Sequence, residues 1–168
     1  MTVGSFQSVP HETQRLTLSP SKLESLEPWA TEGTALTAAA RVEDDSNRIA
    51  LIKNCWTDGW FLPGGAVERG ESPVEAARRE VNEETNLTVS VHDPLVVLDQ
   101  TYVSRPTGEE RFSARYVVYT ATVTGTVDIP PVTELGMSAD EIKAARWFES
   151  VPENLHDEEL LRPYLAHD

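Results

Sequence analysis

The chain is poor in the residues that mark secreted proteins, zinc-binding domains and membrane spans. Cys55 is its single cysteine, which excludes an internal disulfide and a cysteine zinc cluster. No apolar run approaches the roughly 20 residues that a membrane helix needs. The first residues also lack the basic start and apolar stretch of a secretory signal. These absences favour a cytoplasmic protein without a membrane partner.

Positive charge is scarce as well. Lysine occurs only as Lys22, Lys53 and Lys143, and the formal net charge is -14. This charge disfavours a nucleic-acid duplex or an anionic membrane as the main partner. Strong acidity with few lysines favours a high-salt cytoplasm, where screening weakens the repulsion between acids. An ordinary acidic protein is the competing interpretation.

A length of 168 residues fits one domain of ordinary size. Residues 1–32 are expected to form an N-terminal arm, and residues 33–168 the domain. Ser21 and Glu24 have capping-box spacing, which allows a short helix in the arm. The sequence leaves open whether the arm covers a site or mediates a dimer, and a homodimer is compatible with it.

Strand-like and helix-like patterns alternate after Thr34. One helix is expected over 72–85, with Ser72 as N-cap, Pro73 at the first helical position and Glu75 three residues after the cap. A terminal helix over 153–168 is expected to be interrupted near Pro163. Segments rich in β-branched and aromatic residues predict strands over 34–42, 48–55, 87–91, 94–103, 111–123 and 144–150. The pattern predicts an α/β sandwich with a mixed β-sheet.

The predicted central helix carries a cluster of acids, in the stretch "RREVNEETNL". At 100° per residue, Val74, Ala77 and Val81 form its apolar stripe. Glu84 lies just beside that stripe, Glu80 further round, and Glu83 further still, as their positions in the sequence require. Like charges at i,i+4 cost an isolated helix about 0.2–0.5 kcal/mol, and a hard divalent cation would remove that cost. A solvated acidic face is an equally good interpretation of the helix alone.

The residues before the helix favour the metal site. Counted from Gly65, Glu71 follows six residues later, Arg79 and Glu80 fourteen and fifteen later, and Glu83 and Glu84 eighteen and nineteen later. The stretch "GAVERGESPVEAARREVNEETNL" resembles the Nudix hydrolase box at every specified position except the final glycine, where Asn86 stands. Asparagine is the next-best residue to glycine for a left-handed helix end, so the metal ligands are unaffected.

The resemblance implies a Nudix-type α/β/α sandwich with a mixed β-sheet. It also implies a hydrolase that cleaves the diphosphate of a nucleoside diphosphate linked to another group, using Mg²⁺ or Mn²⁺. The substrate would be a nucleoside triphosphate, a dinucleoside polyphosphate or a nucleotide sugar. By position, the metal ligands would be Glu80, Glu84, Glu83, Glu71 and the carbonyl of Gly64. The catalytic residues would be Glu80 or Glu83 as general base, together with Arg79, which would hold the glutamates in place.

Residues outside the box are further candidates for the site. Glu134, Asp140 and Glu141 lie on an expected loop, and Glu141 is the preferred outside acid, although an ordinary surface acid is the simpler interpretation of each. Tyr102 is a candidate substrate-stacking group that an ordinary strand tyrosine would also explain. Arg111, beside the "PTGEE" turn, could meet substrate phosphates or simply be an exposed arginine.

Two other functions compete with the hydrolase. A non-catalytic nucleotide-sensing module on a Nudix fold is the alternative, but such modules usually lose one of the box glutamates, and all four are present. A glycoside hydrolase with paired carboxylates would explain neither the glycine lead-in nor Arg79. The sequence does not identify the diphosphate that is cleaved.

Overall fold

A computed structural model describes residues 6–54, 59–131 and 142–165 of the chain. Within these ranges ten elements follow one another along the chain. They are β1 (His11–Leu18), α1 (Pro20–Thr31), β2 (Leu36–Glu43), β3 (Ile49–Asn54), β4 (Gly64–Ala66), α2 (Pro73–Thr85), β5 (Val89–Ser104), β6 (Glu110–Val123), β7 (Ile142–Phe148) and α3 (Glu158–Leu165).

The strands form one mixed sheet of seven, in the order β1-β5-β6-β2-β3-β7, with β4 paired to β2. β1 runs parallel to β5 and β2 runs parallel to β6, while the other described pairs are antiparallel. β2 and β3 pair at Glu43↔Ile49, near the end of one strand and the start of the other. The chain between β3 and β4 returns to β3 through the bridge Ile52↔Phe61.

Helices cover both faces of this sheet. Successive residues of a strand point to opposite faces, and Ala38 and Ala39 of β2 belong to different core clusters. Ala38 packs in the cluster that contains Ala76 and Ala77 of α2. Ala39 packs in the cluster that contains Leu161 and Leu165 of α3. The predicted α/β/α sandwich with a mixed β-sheet is therefore confirmed.

The N-terminal region contains more structure than the sequence indicated. The short helix is confirmed as α1, but its N-cap is Ser19, whose hydroxyl accepts the backbone N–H of Lys22 at 3.3 Å. The predicted Ser21–Glu24 capping box is therefore wrong, because Pro20 already occupies the first helical position. Strand β1 was not predicted, and it extends the sheet beyond β5. Leu23 of α1 is fully buried against Tyr102 and Ala114.

Two other expectations differ from the structure. Residues 87–103 were predicted as two strands, but β5 is one long strand whose register against β6 shifts around Pro94. Helix α3 continues through Pro163 instead of ending before it. No helix among the described ranges is both long and apolar enough to cross a membrane.

Candidate functional site

Helix α2 begins and ends as its sequence predicts. The Ser72 hydroxyl accepts the backbone N–H of Glu75 at 3.1 Å, and the Glu75 carboxylate accepts the backbone N–H of Ser72 at 3.0 Å. These bonds form a complete capping box. At the other end, Asn86 adopts a left-handed backbone with φ of 66°. Both ends of the helix that carries the glutamates are therefore defined by local chemistry.

The exposure of the glutamates follows the helical positions derived from the sequence. Glu84 is 8% exposed and counts among the buried residues. The side chain of Glu80 is 13% exposed and that of Glu83 is 31% exposed. The acids thus begin at the margin of the buried stripe, as expected, and only Glu83 reaches well into solvent. A purely solvated acidic face does not fit this gradient.

Arg79 lies at the centre of the carboxylates. Its Nε and Nη2 donate to the two oxygens of Glu71, at 2.7 Å and 3.0 Å. Its Nη1 donates to Glu80 at 2.8 Å and to Glu83 at 3.2 Å. The paired bonds to one carboxylate have the geometry that makes arginine a strong partner. Hydrogen bonding to Arg79 lowers the pKa of Glu71, and the Glu71 hydrogen bond in turn raises the pKa of Arg79.

Gly65 makes room for the Glu80 carboxylate. A Cβ at Gly65 would lie 2.5 Å from the Cδ of Glu80, closer than such atoms approach in proteins. Burial raises the pKa of Glu80, and the neighbouring Glu83 and Glu71 charges raise it further, while the hydrogen bond from Arg79 lowers it. The net shift is upward because burial is the largest of these effects.

Glu84 is held by the loop before the helix. Its carboxylate accepts the backbone N–H of Gly64 at 2.8 Å. Gly64 itself lies directly against β2, where a Cβ would approach the carbonyl oxygen of Ala38 to 2.6 Å. Gly64 and Gly65 therefore both allow close approaches, Gly65 to a carboxylate and Gly64 to a neighbouring strand. Together they bring the backbone of β4 beside Glu80 and Glu84.

The donor chemistry of this cluster fits a hard divalent cation. Carboxylate and carbonyl oxygens are the ligands that Mg²⁺ and Mn²⁺ prefer, and three carboxylates here surround the single positive charge of Arg79. Within the described ranges, no three acidic, histidine or cysteine side chains are already arranged as a metal site. Glu71, Glu80 and Glu83 are instead oriented toward Arg79.

The candidate site residues outside the box do not join the carboxylates around Arg79 in the described part of the chain. Tyr102 is 8% exposed and stacks on Phe112, with ring centroids 4.9 Å apart, and its hydroxyl faces Gln100. Arg111 forms an ion pair with Glu27 of α1 at 3.4 Å. The structure thus places neither residue in the Arg79 cluster. Glu134, Asp140 and Glu141 lie outside the described residues.

Two cavities share part of their lining, and the first of them reaches Glu84 of the box. The first is lined by Gly64 and Glu84 and has a volume of about 220 Å³. The second, also of about 220 Å³, is lined by Gln100 and Asp157. Both are lined by Thr37, Phe61, Leu62 and Tyr116. We call these two cavities the cleft. Gln100 and Asp157 were not predicted from the sequence, and neither was Gln14, which is hydrogen-bonded to both. Contacts between distant strands and loops leave no local sequence pattern.

A larger cavity lies on the other side of the box. It has a volume of about 550 Å³ and is lined by Phe6, Val67, the start of α2 and Arg115. Of the four box glutamates only Glu71 reaches it, and Arg115 is already paired with Asp99 at 3.2 Å. The cleft, which carries Gly64 and Glu84, is therefore the better candidate for a substrate.

Comparison with known proteins identifies the family. Residues 33–161 match the model of the NUDIX domain. An RNA pyrophosphohydrolase of Ruthia magnifica subsp. Calyptogena magnifica is 35% identical over 57 residues, covering 34% of this chain and 32% of that protein. A nucleoside triphosphate pyrophosphatase/Nudix hydrolase fusion protein of Bifidobacterium longum (strain NCC 2705) is 37% identical over 67 residues, covering 36% and 14%.

The solved structures agree with this result. A MutT NUDIX hydrolase from Burkholderia pseudomallei superposes with a TM-score of 0.55 at 26% identity, covering 78% of this chain and 97% of that one. The chain belongs to the Nudix family. It spans between 14% and 34% of the length of the curated relatives that it matches. The predicted family is confirmed, while the arm boundary, the roles of individual residues and the cytoplasmic location stay predictions.

Proposed function

We propose that this chain is a divalent-metal-dependent pyrophosphohydrolase that cleaves the diphosphate of a nucleotide-type small molecule. The observation that carries the proposal is the pairing of Arg79 with Glu71, Glu80 and Glu83, next to a buried Glu84 that is bonded to Gly64. Nucleoside triphosphates, dinucleoside polyphosphates and nucleotide sugars are the substrates to compare.

The proposed ligands of Mg²⁺ or Mn²⁺ are Glu80, Glu84, Glu83, Glu71 and the carbonyl of Gly64. When bound, such an ion supplies positive charge that stabilises the negative charge developing on the diphosphate. Arg79 keeps three of the carboxylates at fixed positions through its hydrogen bonds. Gly65 supports this arrangement because it allows Glu80 to approach the backbone of β4.

In the proposed reaction water attacks one phosphorus of the diphosphate, and the bond from that phosphorus to the bridging oxygen breaks. The proton of the water passes to a carboxylate, and the bridging oxygen leaves with the other phosphate. Glu83 is accessible to water, with a side chain that is 31% exposed. Burial raises the pKa of Glu80, which favours its accepting a proton. These two residues are the candidates for the general base.

The test is release of phosphate or nucleoside monophosphate from a nucleotide panel with Mg²⁺, at low and high KCl. Changing a residue that supports a metal ligand typically lowers activity by about 10–100-fold. Because Glu84 is itself a proposed ligand, Glu84→Gln should lower activity by more than this. Glu109→Gln, which removes an exposed carboxylate at the β5–β6 turn, is the matched control and should keep full activity.

Two outcomes would contradict the proposal. Full activity in Glu84→Gln would show that Glu84 is not a ligand. Nucleotide binding by the wild-type protein without turnover of any substrate would favour the nucleotide-sensing module instead. Comparison of Glu80→Gln with Glu83→Gln then identifies the base, since its loss should lower kcat without weakening the binding of substrate.

A further inference from the structure

The cleft runs from the proposed reaction site to a polar end that the box does not explain. Thr37 of β2 lies opposite Tyr116 of β6 in the parallel register, and both side chains line the whole cleft. The Tyr116 hydroxyl interacts electrostatically with a carboxylate at each end of the cleft. Burial raises the pKa of Tyr116, and the charges of Asp157 and Glu84 raise it further. A nucleotide whose phosphates lie at the proposed metal site beside Glu84 would extend past Thr37 and Tyr116 toward Asp157.

The polar end is a chain of directed hydrogen bonds. Gln14 of β1 lies opposite Gln100 of β5, and both are buried. The Nε2 of Gln14 donates to Oδ1 of Asp157 at 2.8 Å, and the Nε2 of Gln100 donates to Oε1 of Gln14 at 2.9 Å. The Tyr102 hydroxyl donates to Oε1 of Gln100 at 3.5 Å.

The carboxylate of Asp157 determines the direction of this chain. An ionised carboxylate only accepts hydrogen bonds, so the amide of Gln14 must present its nitrogen to Asp157. Gln14 then presents its oxygen to Gln100, which must donate in turn. Every donor in the chain therefore points toward Asp157. A carboxylate has about four acceptor positions in total. Gln14 occupies one at Oδ1, and the Nε2 of His156 lies 3.4 Å from Oδ2, so positions remain for N–H groups of a ligand.

A flat apolar surface stands beside this acceptor. Phe61 and His156 are stacked, with ring centroids 4.4 Å apart and an angle of 29° between the planes. Both rings line the cleft next to Asp157. The loop that carries His156 is fixed by backbone bonds, since Trp60 donates to Asn154 at 3.0 Å and His156 donates to Trp60 at 2.7 Å. Aromatic side chains of this kind stack on nucleobases.

We infer that the polar end of the cleft binds the base of the nucleotide, and that it selects a base presenting two adjacent N–H donors, as guanine does. The base stacks against the Phe61–His156 pair, and Asp157 accepts the N1–H and 2-amino groups. Gln14 and Gln100 are positioning residues, because they hold the carboxylate of Asp157. This inference rests on the proposed function for the location of the phosphates, but base binding does not require catalysis.

The test compares GTP, ITP and ATP as substrates, and GMP and AMP as ligands in calorimetry. ITP lacks the 2-amino group, so the wild-type protein should prefer GTP over ITP and over ATP by about tenfold or more, the discrimination expected of a paired contact. Asp157→Asn keeps the size of the side chain, and asparagine tolerates the left-handed backbone at this position, where φ is 58°. It should abolish the preference for GTP and weaken GMP binding, while leaving AMP binding unchanged.

Two further variants complete the test. His156→Ala removes part of the stacking surface from a side chain that is 44% exposed, so it should weaken GMP and AMP binding alike, by about tenfold. Asp45→Asn, an exposed aspartate in the β2–β3 turn, should change neither. Thermal unfolding of each variant verifies that it is folded.

The outcomes separate the two proposals. Equal turnover of GTP, ITP and ATP, unchanged in Asp157→Asn, would overturn the base site and leave the hydrolase proposal standing. No turnover of any nucleotide, together with GMP binding that depends on Asp157, would overturn the hydrolase proposal and support the base site. Equal binding of GMP and AMP in the wild-type protein would overturn guanine selection directly.

Discussion

The carboxylate of Glu84, in the last turn of α2, accepts the backbone N–H of Gly64, the first residue of β4, at 2.8 Å. Twenty positions of sequence separate the two residues, yet the bond is made within a buried part of the molecule. Because Gly64 also pairs with Ala39 of β2, the bond links the end of the helix to the sheet. The proposed metal ligands are thus held by backbone as well as by Arg79.

Gly64 and Gly65 should respond differently to substitution by alanine. At Gly65 the added Cβ would displace the carboxylate of Glu80, and misplacing a catalytic group by about 1 Å can cost about 10²-fold in rate. Gly65→Ala should therefore lose activity and remain folded. At Gly64 the added Cβ meets backbone of β2, so Gly64→Ala should lose about 1–3 kcal/mol of unfolding free energy. Urea unfolding and kcat measured on both variants test this contrast, and an active Gly65→Ala protein would contradict it.

Arg79→Lys should impair the site without unfolding the protein. A lysine ammonium cannot reproduce the paired bonds to Glu71 while also reaching Glu80 and Glu83. We expect a loss of about 10–100-fold in kcat or in apparent Mg²⁺ affinity, measured by Mg²⁺ titration of the activity. Arg78→Lys changes the exposed neighbour on the same helix and is the matched control. If Arg79→Lys and Arg78→Lys had the same kcat and the same apparent Mg²⁺ affinity, Arg79 would not position the glutamates.

Asn86→Gly restores the missing glycine of the box and should have little effect. Asn86 already adopts φ of 66° at the end of α2, and glycine adopts this backbone without strain. Unfolding free energy should stay within about 0.5 kcal/mol, and activity should be unchanged. Asn86→Ala should instead cost about 1–2 kcal/mol, the strain of a left-handed backbone for alanine. Denaturant unfolding of the wild-type protein and the two variants measures these differences. An Asn86→Ala variant as stable as the wild-type protein would contradict the expected strain.

His11 should make the stability of the N-terminal strand dependent on pH. Its Nε2 lies 3.0 Å from the carbonyl oxygen of Phe6, and its Nδ1 lies 2.6 Å from Oδ2 of Asp99. Both partners are acceptors, so the ring is favoured in its doubly protonated form. The hydrogen bond to Phe6, followed by that to Asp99, raises the pKa of His11 above its ordinary value of 6.5, against smaller opposing effects of burial and of Arg115.

The sign of this pH effect follows from linkage. A group whose pKa is raised in the folded state contributes stability that is complete below its unfolded pKa and is lost as pH rises through its folded pKa. The wild-type protein should therefore exceed His11→Gln in Tm by more at pH 6 than at pH 8.5. Asp99→Asn should shrink this pH dependence. A Tm difference that is constant over the range would show that His11 is not protonated in the fold.

The central helix could be predicted because its determinants are local. Ser72, Pro73 and Glu75 define its start within four residues, and the apolar spacing of Val74, Ala77 and Val81 defines its buried side. The same periodicity ordered the exposure of Glu84, Glu80 and Glu83. Each of these features depends on neighbours in sequence, so no knowledge of the fold was needed.

The features that the sequence did not predict depend on contacts between distant parts of the chain. β1 reads as a polar segment, and it becomes a strand because the edge of β5 accepts it. Gln14 meets Asp157 across 143 positions of sequence, and neither residue belongs to a spacing pattern. Pro94 suggested a break between two strands, whereas β5 continues past it with a shifted register against β6. Pairing in the sheet overrode the local signal.

The parallel pairing of β1 with β5 places β1 at this edge of the sheet in place of β5. β1 covers β5 from Val97 to Ser104, and the family match begins only at residue 33. A fragment trimmed to the family boundary would leave this length of β5 as a bare edge, with unpaired N–H and C=O groups available to another molecule. The segment ahead of the Nudix domain therefore replaces this edge of β5 with that of β1, a strand rich in polar and charged residues.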